Sequence, residues 1–107
     1  MRLRWLIDEN TVGAEKGVLG RVIFPPGASH KAHFHENAEE YIIITKGRGS
    51  QVVGNETYVV RPGDVVFVPR GTVHTTKNAS KRGNLELFFV YSGAASLEKT
   101  GYKLANA

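Results

Sequence analysis

The sequence predicts an all-β domain, built as a sandwich or barrel of short strands. Runs of β-branched and aromatic residues recur along the chain, and Gly, Pro and Asn separate them. One such run about every 8–12 residues is typical of a β-sandwich or barrel. None of the runs has a sustained helical period. A chain of 107 residues can bury its own apolar core, so we expect a single domain over residues 1–107.

Six runs are predicted as strands because Val, Ile and aromatic residues dominate most of them. They are VLGRVIF (18–24), YIIIT (41–45), SQVV (50–53), TYVV (57–60), DVVFVP (64–69) and LELFFVY (85–91). Residues 53–56, VGNE, predict a hairpin with a two-residue turn, since Gly and Asn accept positive φ at low cost. Tyr58 and Phe88 are expected in the core. The best helical candidate is the tail, residues 96–107.

Composition excludes several classes of protein. The chain has no cysteine, which excludes disulfides, thiol catalysis and thiolate metal ligands. Its net charge is +4, but Lys and Arg are scattered singly, without the clustering typical of nucleic acid binding. No run approaches the ~18 apolar residues of a membrane helix, and residues 5–7 are too few for a signal-peptide core. We expect a soluble cytoplasmic protein with no nucleic acid or membrane partner, and a mild attraction for small anions.

Titratable residues are concentrated just before the second predicted strand. His33 and His35 are two apart, so on a strand both side chains point to the same face. Glu39 or Glu40 follows within reach, and periodicity alone does not choose between them. His74 follows a tight turn that can swing it back toward the pair. Imidazoles with one carboxylate suit Fe, Mn, Co, Ni, Cu or Zn rather than Ca or Mg; the alternative is a solvated polar loop.

The spacing of these residues resembles the two sequence motifs of the cupin superfamily. Residues 27–47 are similar to the first motif, a Gly, a His-x-His pair, a Glu and a second Gly. Its positions are Gly27, His33, His35, Glu40 and Gly47. Residues 63–78 are similar to the second motif. Its positions are Gly63, Pro69, Gly71, His74 and Asn78.

The resemblance implies a small antiparallel jelly-roll β-barrel that holds one divalent transition metal ion per chain. Carried over, the ligands are His33, His35, Glu40 and His74, and the six-residue gap before Gly47 selects Glu40 over Glu39. The resemblance also implies a homodimer, because related small cupins commonly pair through outer strands. Residues 12–24 are the expected edge donor.

Four further polar residues are candidates for lesser roles. Gln51 is expected to face the barrel interior, where it contacts a substrate, supports a metal ligand or, as the alternative, makes a structural hydrogen bond. Thr76 shares the face of His74, where it is expected to support a metal ligand or contact a substrate. Arg21 alternates with Leu19 and Ile23, so it can point inward toward an anionic substrate or pair at the surface. His30 is expected to be a solvated loop residue, with an acid–base role at the rim as the alternative.

These observations lead to a functional hypothesis. We expect a metal-dependent enzyme that acts on a small oxygen-rich or anionic organic molecule, by dioxygenase, isomerase or lyase chemistry. Fold alone does not choose among these reactions. The alternative is a ligand-binding or sensory module without turnover.

Overall fold

The computed structural model describes residues 1–105, which form ten strands in two antiparallel five-stranded sheets. In chain order the strands are β1 Arg2–Ile7, β2 Gly17–Phe24, β3 His33–His35, β4 Glu39–Lys46, β5 Gly49–Val53, β6 Glu56–Val60, β7 Val65–Val68, β8 His74–Asn78, β9 Leu85–Ser92 and β10 Tyr102–Leu104. The first sheet has the order β1-β2-β9-β4-β7, and the second has β10-β3-β8-β5-β6. Buried apolar side chains of both sheets form one core. The predicted all-β jelly roll is confirmed.

Five of the six predicted runs lie within strands of this fold, and the sixth, residues 64–69, contains β7 and extends one residue beyond it at each end. The predicted hairpin joins β5 to β6, with Val53 paired to Glu56 across its base. Of the two turn residues only Gly54 has a positive φ, +63°. None of the described residues forms a helix long and apolar enough to cross a bilayer.

The prediction of a helix in the tail is wrong. A single 3-10 turn, Glu98–Thr100, ends at Gly101, whose φ of +73° is left-handed. The chain then forms β10, which pairs with β3, so that Tyr102 lies opposite His35. Residues 106 and 107 of the predicted helix lie outside the described residues.

Two of the residues expected in the core lie elsewhere. Tyr58 is 46% exposed, because β6 is the last strand of its sheet. Phe88 is half-buried on the outer face of β9, since its neighbours Leu87 and Phe89 point into the core. Strand composition alone does not distinguish the two faces of a sheet.

The segment expected to donate a strand edge does not lie at an edge. In residues 12–24 the only strand is β2, which lies between β1 and β9 inside the first sheet. Two unpaired edges lie elsewhere, because β7 lies at one end of the first sheet and β6 at one end of the second. We call the surface at these two edges the β6–β7 surface, and its exposed apolar residues are Tyr58, Val59, Val65 and Phe67.

We expect the β6–β7 surface to pair with a second copy of this chain, because unpaired strand edges with exposed apolar side chains are normally covered. Sedimentation equilibrium at micromolar concentration should show a dimer. Placing Lys at both Val65 and Phe67 should convert it to a monomer, whereas Val12→Lys, in an exposed loop, should not. A monomeric wild-type protein, or a dimeric double variant, would contradict this arrangement.

Candidate metal centre

Four buried side chains from β3, β4 and β8 converge between the two sheets. One potential ligand atom from each of His33, His35, Glu40 and His74 lies within 4.8 Å of the others. Strand alternation turns both β3 histidines inward, and His33 pairs directly opposite His74. Glu40 reaches them from the other sheet. The structure therefore brings together all four residues that the cupin resemblance implies.

Backbone carbonyls determine which ring nitrogen of two of these histidines is available. Nδ1 of His33 lies 2.7 Å from the carbonyl oxygen of Lys31, and Nδ1 of His74 lies 2.9 Å from that of Thr72. A carbonyl only accepts, so each Nδ1 carries the proton and donates it. Each Nε2 of the neutral ring then has its lone pair free for a metal ion.

The hydroxyl of Thr100 determines which ring nitrogen of His35 is available. Its Oγ1 lies 2.9 Å from Nδ1 of His35 and donates its own hydrogen to the carbonyl of Leu97, at 2.5 Å. The hydroxyl must therefore accept from Nδ1, so that in the neutral tautomer the free lone pair is on Nε2 of His35. Sequence reasoning missed Thr100, because it follows His35 by 65 residues in a segment predicted to be helical.

The converging atoms fit a cation. Oε1 of Glu40 lies 2.9 Å from Nε2 of His74 and 3.2 Å from Nε2 of His35. Among the described residues, none hydrogen-bonds Nε2 of His35. When the three rings are neutral and each Nδ1 carries the proton, the centre contains only acceptors, which a divalent metal ion satisfies.

The ionisation of the centre also favours metal binding. Burial raises the pKa of Glu40, but its contacts with His35 and His74 outweigh this and lower it to about 2. Burial, with the neighbouring His74, lowers the pKa of His33 to about 4. At neutral pH Glu40 is therefore an anion and His33 a neutral imidazole, and these are the forms that bind metals.

The pKa of His74 moves in the other direction. Burial lowers it, but the hydrogen bond to Glu40 and the charge of that carboxylate raise it further than burial lowers it. A proton on Nε2 of His74 and a metal ion are thus alternative ways to neutralise Glu40. Metal binding should release this proton.

Replacing Thr100 with Val should weaken metal affinity by about 10–100-fold, the usual cost of losing a partner that orients a ligand. Among residues 1–105, the Thr100 hydroxyl is the only group that hydrogen-bonds Nδ1 of His35. Competition titration with a chromophoric chelator measures the change. Thr57→Val, on the exposed side of β6, is the matched control. An unchanged affinity in Thr100→Val would show that His35 needs no such support.

The side chains of three other sequence candidates hydrogen-bond residues outside the four converging ones. Gln51 is fully buried, and its side-chain oxygen accepts a 2.5 Å hydrogen bond from Thr76. The Gln51 amide donates to the Val52 carbonyl at 3.2 Å. Thr76 faces the interior as expected, but its hydroxyl supports Gln51 rather than a histidine. Glu39 is exposed and accepts a hydrogen bond from Tyr41.

The inward orientation considered for Arg21 is wrong. Its side chain lies on the outer face of β2 and forms an ion pair with Glu86 on the adjacent strand, with Nε 2.9 Å from Oε2. Thr45 donates to the other oxygen of this carboxylate. Arg21 satisfies an acid at the surface, as such arginines commonly do.

The expectation that His30 is a solvated loop residue is also wrong. Its ring packs on Phe24, with centroids 4.9 Å apart, and lies 5.8 Å from the ring of His33. Burial lowers the pKa of His30, and the nearby charge of Glu40 only partly offsets this. His30 is thus a neutral wall residue beside the metal centre.

A cavity of about 230 Å³ opens onto three of the four converging residues, His33, Glu40 and His74. His30, His33, Glu40, His74 and Thr76 supply polar walls, and Lys31 and Tyr102 also line it. The apolar walls are Leu3, Trp5, Ile42, Leu87, Phe89, Tyr91 and Leu97. Sequence reasoning missed the walls from β1 and β10, because neither strand was predicted.

The Cupin domain family matches residues 20–91, more than half of the chain. The chain is a cupin. This cupin is 33% identical over 85 residues to the uncharacterized protein MJ1618 of Methanocaldococcus jannaschii, covering 79% of this chain and 66% of the relative. It is 38% identical over 80 residues to the wheat (Triticum aestivum) oxalate oxidase GF-2.8, covering 67% of this chain and 34% of the oxidase.

Among solved structures, this cupin is similar to the polyketide cyclase RemF from Streptomyces resistomycificus. The TM-score is 0.73 at 30% identity, and the match covers 84% of this chain and 63% of the cyclase. The cupin spans about one third to two thirds of the length of the curated relatives named here.

Proposed function

We propose that this cupin is a metal-dependent enzyme that acts on a small oxygen-rich or anionic organic molecule. The observation that carries the proposal is the convergence of His33, His35, Glu40 and His74, three of which line a cavity: His33, Glu40 and His74. These residues would hold one divalent transition metal ion per chain. A bound ion would supply Lewis-acid or redox chemistry to a ligand in the cavity. Relatives named as an oxalate oxidase and a polyketide cyclase support an enzymatic role.

The charge of the site favours an anionic ligand. Neutral imidazoles and one carboxylate leave a divalent ion with a net charge near +1. Among the described residues that line the cavity, Glu40 is the only acid, and the exposed Lys31 adds a second cation at the cavity. An excess of positive charge at a concave site raises the local concentration of anions.

Two cavity side chains are suited to handling protons. Tyr91 lies beside His35, with ring centroids 4.7 Å apart, and burial raises the pKa of its phenol, to which the charge of Glu40 adds. The hydroxyl therefore stays protonated and can donate a hydrogen bond to a ligand. His30 is neutral at pH 7 because its pKa is lowered, so its imidazole can accept a proton.

Metal analysis of the native protein, followed by a substrate screen, tests the proposal. The screen uses small hydroxy acids, oxo acids, catechols and diketones, with and without oxygen. We expect turnover by the metal-loaded protein, loss of turnover in His33→Ala, and a reduced rate in Tyr91→Phe. Oxygen dependence separates dioxygenase from isomerase or lyase chemistry. Metal-loaded protein that binds these compounds without converting any of them would favour a ligand-binding module instead.

A further inference from the structure

The cavity is polar at one end and apolar at the other, and strand register places the two ends. Glu40 pairs with Tyr91 on β9, and two residues further along these strands Ile42 pairs with Phe89. Each such step is about 7 Å, and the next one brings Ile44 opposite Leu87. The cavity therefore changes from the metal centre to an apolar wall along one direction of the first sheet.

An aromatic corner completes the apolar end. Gly20 lies between Trp5 of β1 and Phe89 of β9 in the same row of the sheet. A Cβ at Gly20 would lie 2.1 Å from the Phe89 ring, so the absence of a side chain leaves room for that ring. The rings of Trp5 and Phe89 then meet edge to face, with centroids 5.7 Å apart. Leu3 belongs to the next row, opposite Val22 and Leu87.

The size of the cavity limits what this corner accepts. An apolar cavity of about 150 Å³ holds a benzene molecule, whereas drug-sized ligands need roughly 300–1,000 Å³. The cavity of about 230 Å³ therefore accommodates one ring together with a small polar group, but not several fused rings. A ligand such as oxalate would leave the apolar walls without contacts.

We infer that the cavity takes a small carboxylic acid that carries a single aromatic or alicyclic ring. The oxygen atoms of the acid lie toward His33, Glu40 and His74, and the ring lies against Trp5, Leu87 and Phe89. This inference rests on the proposed function, because the acid head needs the metal at the polar end. Burial of the ring supplies the specificity.

Mandelate and glycolate form a matched pair of probes, since they share a 2-hydroxycarboxylate head and differ by one phenyl ring. The protein is loaded with Co²⁺, whose visible bands report a change of ligands, and binding is measured by that spectrum and by calorimetry. The tighter-binding enantiomer of mandelate should bind at least about tenfold more tightly than glycolate, because the ring leaves water for an apolar wall. The affinity for oxalate should be close to the affinity for glycolate.

Variants then locate the ring. Trp5→Leu and Leu3→Ala should each lower the affinity for mandelate by a larger factor than the affinity for glycolate. Leu3 is 49% exposed, so its truncation is compatible with folding. Tyr58→Leu removes an exposed ring outside the cavity and should change neither affinity.

The outcomes separate this inference from the proposed function. Normal Co²⁺ loading with equal binding of the two probes, or with no binding of either, overturns the inference alone. A preference for mandelate that survives in both cavity variants also overturns it. Failure of the protein to bind Co²⁺ overturns the proposed function and the inference together.

Discussion

Replacing Glu40 with Gln should lower metal affinity by more than about 100-fold. Loss of a partner that merely orients a ligand costs about 10–100-fold, and Glu40 is itself a candidate ligand with the only carboxylate in the cluster. The substitution keeps the shape of the side chain but removes the charge that balances a divalent ion. Metal content after dialysis and competition titration measure the effect.

Glu39→Gln is the matched control for this substitution. Glu39 is the adjacent residue on β4, but its side chain is exposed on the outer face. The same chemical change there should leave metal content unaltered. Equal losses in the two variants, or a loss confined to Glu39→Gln, would contradict the assignment of Glu40 as a ligand.

Acidification should remove the metal and the stability that it adds. The folded pKa values of His33 and Glu40, about 4 and about 2, lie below their ordinary values of 6.5 and 4.5. Their contribution to stability is therefore present above the ordinary values and is lost as pH falls through the folded ones. For His33 this window runs from 6.5 down to about 4. A bound cation lowers both values further.

The size of the effect follows from mass action. A metal at 100 times its dissociation constant adds about 2.7 kcal/mol to the free energy of unfolding. For a domain of this length that is roughly 10–20 °C in melting temperature. The difference in melting temperature between metal-loaded and chelated protein should have this size at pH 7 and should decrease as pH falls toward 4.

Three samples make the pH experiment decisive. Thermal melts are recorded from pH 7 to pH 4 on metal-loaded wild type, chelated wild type and His33→Ala. His74 acts in the opposite sense without metal, because its raised pKa contributes stability below 6.5 that is lost as pH rises. Chelated wild type and His33→Ala should therefore show flatter profiles than the loaded protein. Parallel curves for all three samples would show that the histidines do not bind the metal.

Local sequence determined six of the ten strands and the centre of the site. Residues two apart on a strand share a face, which is why His33 and His35 could be predicted to point together. The choice of Glu40 over Glu39 was open from periodicity alone and needed the spacing of the cupin motif. Once Glu40 is assigned, the same alternation places Ile42 and Ile44 on its buried face, as the structure shows.

Tertiary structure alone decided how the site is supported and enclosed. Thr100 reaches His35 only because Gly101 turns the tail into β10 alongside β3. Trp5 becomes a cavity wall only because β1 pairs with β2 and places Trp5 opposite Gly20. Arg21 turns outward because Glu86 lies on the neighbouring strand. Each of these contacts joins residues far apart in the chain, and residue pattern carries no information about which distant strands become neighbours.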